Sequence, residues 1–285
     1  MVLMVRISDI SRYLRCPRLI YFERGQFAPE LVSPSHILLR HMLLSWQAGS
    51  DPSDMEEAIL RLIQDLLLIY PQISQADLLV AADEVRHLLP DLILLPAERL
   101  VPSELEVELR SERLGLTGRL DRMVVRQRQA AMPRPNLLSS LLDRAGLLVS
   151  PPSQDATASG RDEGSDERTA QADQPLVTPS LIRTGKAPKS GVWRRDRLSL
   201  AGYSLLLQEK YGQPVVEGQV EYARSCQIRQ VAIRGLDKGR FLRLCDRVRQ
   251  IRRGSLPDRP ANAPCSACPC RDACHSRASL ASRFF

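Results

Sequence analysis

Apolar residues recur at helical spacing through the first third of the chain. Between Ser8 and Glu23 they fall at Ile10, Tyr13, Leu14, Ile20 and Tyr21, and Cys16-Pro17 interrupts them. Proline suits the first turn of a helix, where its missing N–H has no intrahelical partner. The pattern therefore predicts a helix-turn-helix joint at Cys16. Ser35 to Gln47 puts Ile37, Leu38, Leu39, Met42, Leu43 and Trp46 on an apolar stripe, with Ser35 as the expected cap. Asp54 to Ile69 and Ser74 to Leu89 predict two more helices.

The period then changes to two. Leu105, Val107 and Leu109 alternate with Glu104, Glu106 and Glu108 in a strand expected over Leu100 to Leu109. Leu114 to Val125 predicts a second strand, antiparallel to the first across a turn at Ser111-Glu112, with Gly115 and Gly118 admitting close backbone approach. Asn136 to Val149 has the makings of a short helix. Ser150 to Thr178 is poor in large apolar residues and rich in Ser, Asp, Glu, Ala and Gln, so burial cannot offset its ordering entropy. We read 126–149 as an insertion and 150–178 as a disordered segment within it, interrupting a single domain over 1–285. Regular patterns resume afterwards. Pro179 to Thr184 is extended, and Asp196 to Tyr211 is a helix ending at Gly212. Val215 to Tyr222 and Gln227 to Arg234 form a hairpin, and Leu236 to Arg253 is a long basic helix. The expected fold class is α+β, with a helical N-terminal lobe.

Composition narrows the class. The 285 residues are 44% hydrophobic and 26% charged, ordinary for a globular protein. Aromatics are only 5%, too few for a binding surface rich in Tyr and Trp. The longest apolar run, Ala58 to Tyr70, is broken by Arg61, Gln64 and Asp65, which argues against a membrane span. The first residues lack the apolar core of a secretory signal, so a cytoplasmic location is expected. The net charge of +7 is uneven: Ser180 to Phe285 carries 21 Lys/Arg against 8 Asp/Glu, and the rest carries 19 against 25. This asymmetry suggests a polyanion partner for the C-terminal part, with Arg243, Arg247, Arg249 and Arg252 as candidate phosphate contacts. A solvated Arg-rich surface is the plainer reading.

Four of the seven cysteines crowd into 265–274, as Cys265-Ser-Ala-Cys268-Pro-Cys270-Arg-Asp-Ala-Cys274, followed by His275. A two-residue gap lets a tight turn aim two thiolates at one centre, which suggests metal rather than disulfides. Zinc and a four-iron four-sulfur cluster both fit; spacing alone favours zinc, because Cys268 and Cys270 depart from a ferredoxin loop. Cys226 and Cys245 read as core residues. Asp121 comes after Gly118-Arg-Leu at a strand end, where a carboxylate can hold Mg²⁺ or Mn²⁺ or simply make a turn. His36 and His41 on the third helix are possible ligands. Gly185-Lys186 lacks the rest of a phosphate loop, and no GxSxG nucleophile elbow occurs.

Together these segments resemble a known family. Tyr13-Leu14-Arg15-Cys16-Pro17-Arg18-Leu19-Ile20-Tyr21-Phe22 is similar to the N-terminal cysteine motif of RecB-type iron–sulfur nucleases. Cys265, Cys268 and Cys274 match its C-terminal counterpart, and Gly118-Arg-Leu-Asp121 resembles the G-x-[IV]-D motif. Thr184-Gly185-Lys186 and Asp196 to Tyr203 resemble the family's later motifs, in the same chain order. The nearest branch is the CRISPR-associated exonuclease family, the fourth Cas protein. The resemblance implies a restriction-endonuclease-like mixed sheet with a C-terminal iron–sulfur loop over 265–274. It also implies a 4Fe-4S cluster on Cys16, Cys265, Cys268 and Cys274, with Cys270 outside the ligand set. A Mn or Mg site at Asp121 is implied too, with Arg183 and Tyr203 in the catalytic motif positions. DNA and other CRISPR adaptation proteins would be the partners, with no membrane.

The chain departs from that family at decisive positions. Leu181 stands where the second carboxylate belongs, Arg183 where the lysine belongs, and Ser199 where a glutamine belongs, while Tyr203 is retained. Leucine cannot bind a metal, and a guanidinium stays protonated where a lysine can tune water. Glu104, Glu106 or Glu108 could supply the missing acid. The expected function is DNA binding in spacer acquisition with a weakened nuclease site. An active Mn- or Mg-dependent single-strand exonuclease and a basic zinc-binding nucleic-acid protein are the alternatives.

Overall fold

A computed structural model describes residues 3–23, 33–45, 52–95, 104–126 and 176–275. The chain divides into two compact units, Met1–Val124 with Val177–Phe285 and Val125–Leu176. Apart from Arg126 and Leu176 to Thr178, the expected insertion and disordered segment lie outside the described residues.

The first unit opens with β1 (Val5–Arg6), α1 (Ile7–Arg15) and α2 (Pro17–Phe22). Cys16 between the helices is extended, with φ −163° and ψ 122°, and Pro17 starts α2 as expected. Next come α3 (Pro34–Ser45), α4 (Pro52–Ile69), α5 (Gln75–Arg86) and α6 (Leu89–Ile93). Ser35 does not cap α3. It lies inside the helix, buried, and accepts a hydrogen bond from Arg224 Nη2 at 2.9 Å. The helix over Ser74 to Leu89 is divided, because Pro90 cannot continue a ladder and opens α6 instead. Leu38, Leu43, Ile59, Leu66, Leu78 and Leu92 interlock these helices, and Ile182 from the sheet and Ala223 from a short 3-10 turn join that core.

The remaining elements are β2 (Glu104–Ser111), β3 (Leu116–Arg126), β4 (Leu176–Arg183), α7 (Arg194–Tyr211), β5 (Glu217–Tyr222), β6 (Gln227–Ala232) and α8 (Gly235–Arg252). The fold is therefore mixed α+β around a six-stranded mixed sheet. β2 and β3 pair antiparallel and β1 pairs parallel to β3. Leu116 is opposite both Val5 and Ser111, so β1 and β2 flank opposite edges of β3. β4 also neighbours β3; it runs parallel to β5, and β5 and β6 form the expected hairpin.

α7 is the central helix, buried along Leu198, Leu200, Ala201, Gly202, Leu206 and Leu207. It ends at Gly212 in the left-handed region, φ +69°, where a side chain would be strained. A Cβ at Gly118 would stand 3.0 Å from both Ile7 Cδ1 and Tyr203 Cε1, so that glycine lets α1 and α7 close on β3.

Candidate functional site

β3 and β4 carry the polar centre. Asp121 is buried on β3, and both its oxygens are engaged. Oδ1 lies 2.6 Å from Arg40 Nη1 of α3, and Oδ2 accepts the Ile182 N–H at 2.8 Å. Arg183 Nη1 stands 3.7 Å from Oδ2. The β2–β3 register pairs Leu105 with Arg122 and Val107 with Leu120, which sets Glu106 opposite Asp121. Residues opposite one another across a ladder share a face. Glu106 Oε1 lies 3.6 Å from Arg40 Nη2, so one guanidinium bridges the two acids, and Arg119 holds the other oxygen of Glu106. Of Glu104, Glu106 and Glu108, the structure brings only Glu106 to Asp121.

Leu181 is 1% exposed, fixed in the core between its neighbours on β4. Arg183 does not point a free cation at Asp121. Its Nε donates to Asp196 Oδ1 at 2.6 Å and its Nη1 to the Ile182 carbonyl at 3.1 Å. Burial opposes its charge, but the carboxylates of Asp196 and Asp121 outweigh that and raise its pKa. Asp196, fully buried, also accepts from the Tyr222 hydroxyl at 2.8 Å. Tyr203 donates its hydroxyl to the Arg119 carbonyl at 2.6 Å, and burial raises its pKa, with Asp121 adding to the effect. In this arrangement Tyr203 holds α7 to β3. Ser199 turns back on its own helix and donates to the Arg195 carbonyl.

The histidines diverge. Burial and then Arg224 lower the pKa of His36, while Glu84 raises it. His41 packs edge-on to Tyr70, ring centroids 6.3 Å apart, and burial, then Arg40, lower its pKa. Sequence reasoning missed a second buried polar group on the other side of β3. Arg122 Nη1 lies 3.2 Å from Glu221 Oε2, and Ser180 donates to Glu221 Oε1 at 2.6 Å. Burial raises the Glu221 pKa. The alternation of Asp121 and Arg122 along a strand was the available signal.

The cysteines are brought together. Cys16, at the α1–α2 joint, lines one pocket with Cys265, Cys268, Cys270, Cys274 and His275. Arg18 spans the two sources, donating from Nη1 to Cys274 Sγ at 3.2 Å and from Nε to the Pro257 carbonyl at 3.0 Å. Among the described residues, no group of three or more His, Cys, Asp or Glu side chains is arranged to hold a metal ion. By donor type the set suits a soft or borderline metal: thiols from two distant segments line the same pocket. Cys226 and Cys245 lie apart from it, and burial pushes their thiols up to about 11 and about 12.

The basic helix α8 is split in role. Arg243 and Arg247 are exposed. Arg249 Nη2 donates to the Leu114 carbonyl at 2.7 Å, and Arg252 donates to the Met4 carbonyl and to Asp9 Oδ2, both at 2.6 Å. Arg252 thus binds the N-terminal segment and α1 to α8, and Arg249 binds the β2–β3 turn. Among the described residues no helix is long and apolar enough to cross a membrane. No protein-family model matches the chain, and no curated protein matches it.

Proposed function

We propose that the protein is a DNA-binding relative of the CRISPR-associated RecB-type exonucleases, acting on DNA in spacer acquisition, with a weakened nuclease centre. The observation that carries this reading is the saturation of Asp121. One oxygen is ion-paired to Arg40, the other takes a backbone N–H, and Leu181, where the family resemblance would put the second acid, is a buried leucine. A divalent ion needs carboxylate lone pairs that face it. The residues as arranged do not fit Mg²⁺ or Mn²⁺, because a guanidinium already stands between Asp121 and Glu106. On this reading the mixed sheet is a restriction-endonuclease-like core whose charge serves binding.

The cysteine pocket fits a cluster by donor type, and Cys16, Cys265, Cys268 and Cys274 would hold it. A bound 4Fe-4S cluster supplies a covalent staple between the α1–α2 joint and the tail. Zinc on the same thiols is the alternative, and His275 in the same pocket gives it a nitrogen donor.

A second reading rests on Glu106. Its position opposite Asp121 gives an active exonuclease two carboxylates once Arg40 swings away. Anaerobic purification with a visible spectrum, metal and sulfide analysis, and a nuclease and DNA-binding assay separates these readings. DNA binding with iron, sulfide and little cleavage is expected. Robust Mg²⁺-dependent degradation, lost in Asp121→Ala, would overturn the weakened-site reading in favour of the second. Stoichiometric zinc without iron would replace the cluster.

A further inference from the structure

The segment from β4 to α7 holds the feature that the sequence pattern left unused. Trp193, the residue before α7, is 44% exposed, although tryptophan is among the largest apolar side chains. It is held at two points. Its indole N–H donates to the Lys186 carbonyl at 3.1 Å, and its backbone N–H donates to the Tyr222 hydroxyl at 3.1 Å. Lys186, Lys189, Arg194 and Arg195 stand within seven residues of it along the chain, and all four are exposed. The only acid between Arg183 and Arg197 is Asp196, which is fully buried and already engaged by Arg183 and Tyr222. The accessible side chains of this segment therefore present cations and one anchored aromatic.

The segment is tied to the polar centre by a chain of hydrogen bonds and ion pairs through the buried Tyr222 and Asp196. Trp193 contacts Tyr222, Tyr222 contacts Asp196, Asp196 contacts Arg183, and Arg183 reaches Asp121. Binding single strands takes a positive track for the backbone and an aromatic on which a base stacks; duplex bases are already stacked on each other. One anchored tryptophan satisfies this even in a chain poor in aromatics.

We infer that Trp193 is a base-stacking platform and that Lys186, Lys189, Arg194 and Arg195 track the phosphates of a single-stranded DNA. This rests on the DNA-binding reading above and places the contact at the β4–α7 segment rather than on α8. A purely structural Trp193 would only close the 186–193 loop.

The test is titration of the full chain with an oligothymidylate of about 12 nucleotides, within the usual site size of a single-strand groove, and with a duplex of equal length. Intrinsic fluorescence is followed alongside affinity. The chain has two tryptophans, so the quenching lost in Trp193→Phe reports Trp193. The expected results are quenching that Trp193→Phe removes, affinity largely kept by Phe, and a roughly tenfold to hundredfold loss in Trp193→Ala. Arg194→Gln with Arg195→Gln should make the salt dependence shallower by roughly 0.7 per lost contact. Binding that leaves Trp193 emission unchanged and survives Trp193→Ala would overturn this placement and leave the DNA-binding reading standing. A preference for duplex would do the same. No binding of either DNA would overturn the parent reading.

Discussion

Glu106 lies across the β2–β3 ladder from Asp121 with a backbone φ of +48°, a region that non-glycine residues seldom adopt in a strand. Strain of this kind persists where surrounding contacts over-determine it, here through Arg40 and Arg119. Glu106→Ala and Glu106→Gly remove the same carboxylate and differ in backbone cost. The glycine variant should be more stable than the alanine variant by about 1 kcal/mol in urea unfolding. Equal stabilities would show that the backbone is relaxed at 106.

Asp196 depends on Arg183. Removing the guanidinium leaves a fully buried carboxylate with Tyr222 and a distant Arg195, 3.8 Å away. Arg183→Ala should cost about 3 kcal/mol in denaturant unfolding, and Arg183→Lys should recover only part of this, since a lysine cannot reproduce the fork. Introducing a Glu-x-Lys pair with Leu181→Glu and Arg183→Lys thus meets a cost, because position 181 is a core position. A gain in activity should come with a lower melting temperature.

Arg247 and Arg252 lie on the same helix but should report different properties. Arg252→Ala leaves Asp9, 1% exposed, without its closest ion-pair partner and should lower stability by about 2 kcal/mol. Arg247→Ala on the exposed side should change stability by no more than about 0.5 kcal/mol. Thermal unfolding of both variants checks this, and equal effects would contradict the tether.

Gly202 is where α7 meets α8. A Cβ there would stand 2.5 Å from Phe241 Cζ, and Phe241 is fully buried. Gly202→Ala should therefore destabilise by about 1–3 kcal/mol despite the better helix propensity of alanine. Pairing it with Phe241→Leu should recover part of the loss, as a double-mutant cycle would measure.

Burial pushes the Cys245 thiol up to about 12, against about 8.5 for an exposed cysteine. Between those values the native state keeps its proton and the unfolded chain releases it. Stability is fully present below the unfolded pKa and falls as pH rises toward the folded one. Cys245→Ala should flatten that decline relative to wild type, and native Cys245 should alkylate far more slowly than the unfolded chain.

The hairpin of β5 and β6, the basic helix α8 and the Cys16 joint were legible because each has a full period or a proline to mark it. β1 was missed: two residues, Val5 and Arg6, are too few to show alternation. β4 starts at Leu176, three residues before the expected Pro179, because its first residues adjoin a polar run that masks them. Charge showed that α8 is basic but not which arginines face inward, since the acceptors of Arg249 and Arg252 are carbonyls and Asp9 far away in sequence. The bridge from Arg40 to Asp121 was hidden for the same reason. Glu106 was among three candidates, and only the strand register selects it.

The tether of Arg252 to Asp9 spans 243 residues and has a consequence for synthesis. Translation proceeds at roughly 5–20 residues per second, so Asp9 leaves the ribosome roughly 10–50 seconds before its partner is made. Throughout that interval α1 lacks α8 to bury it, and Cys16 stands without the tail thiols. The nascent N-terminal segment thus keeps its apolar face uncovered for most of synthesis, and the thiol set closes only after residues 265–274 have emerged.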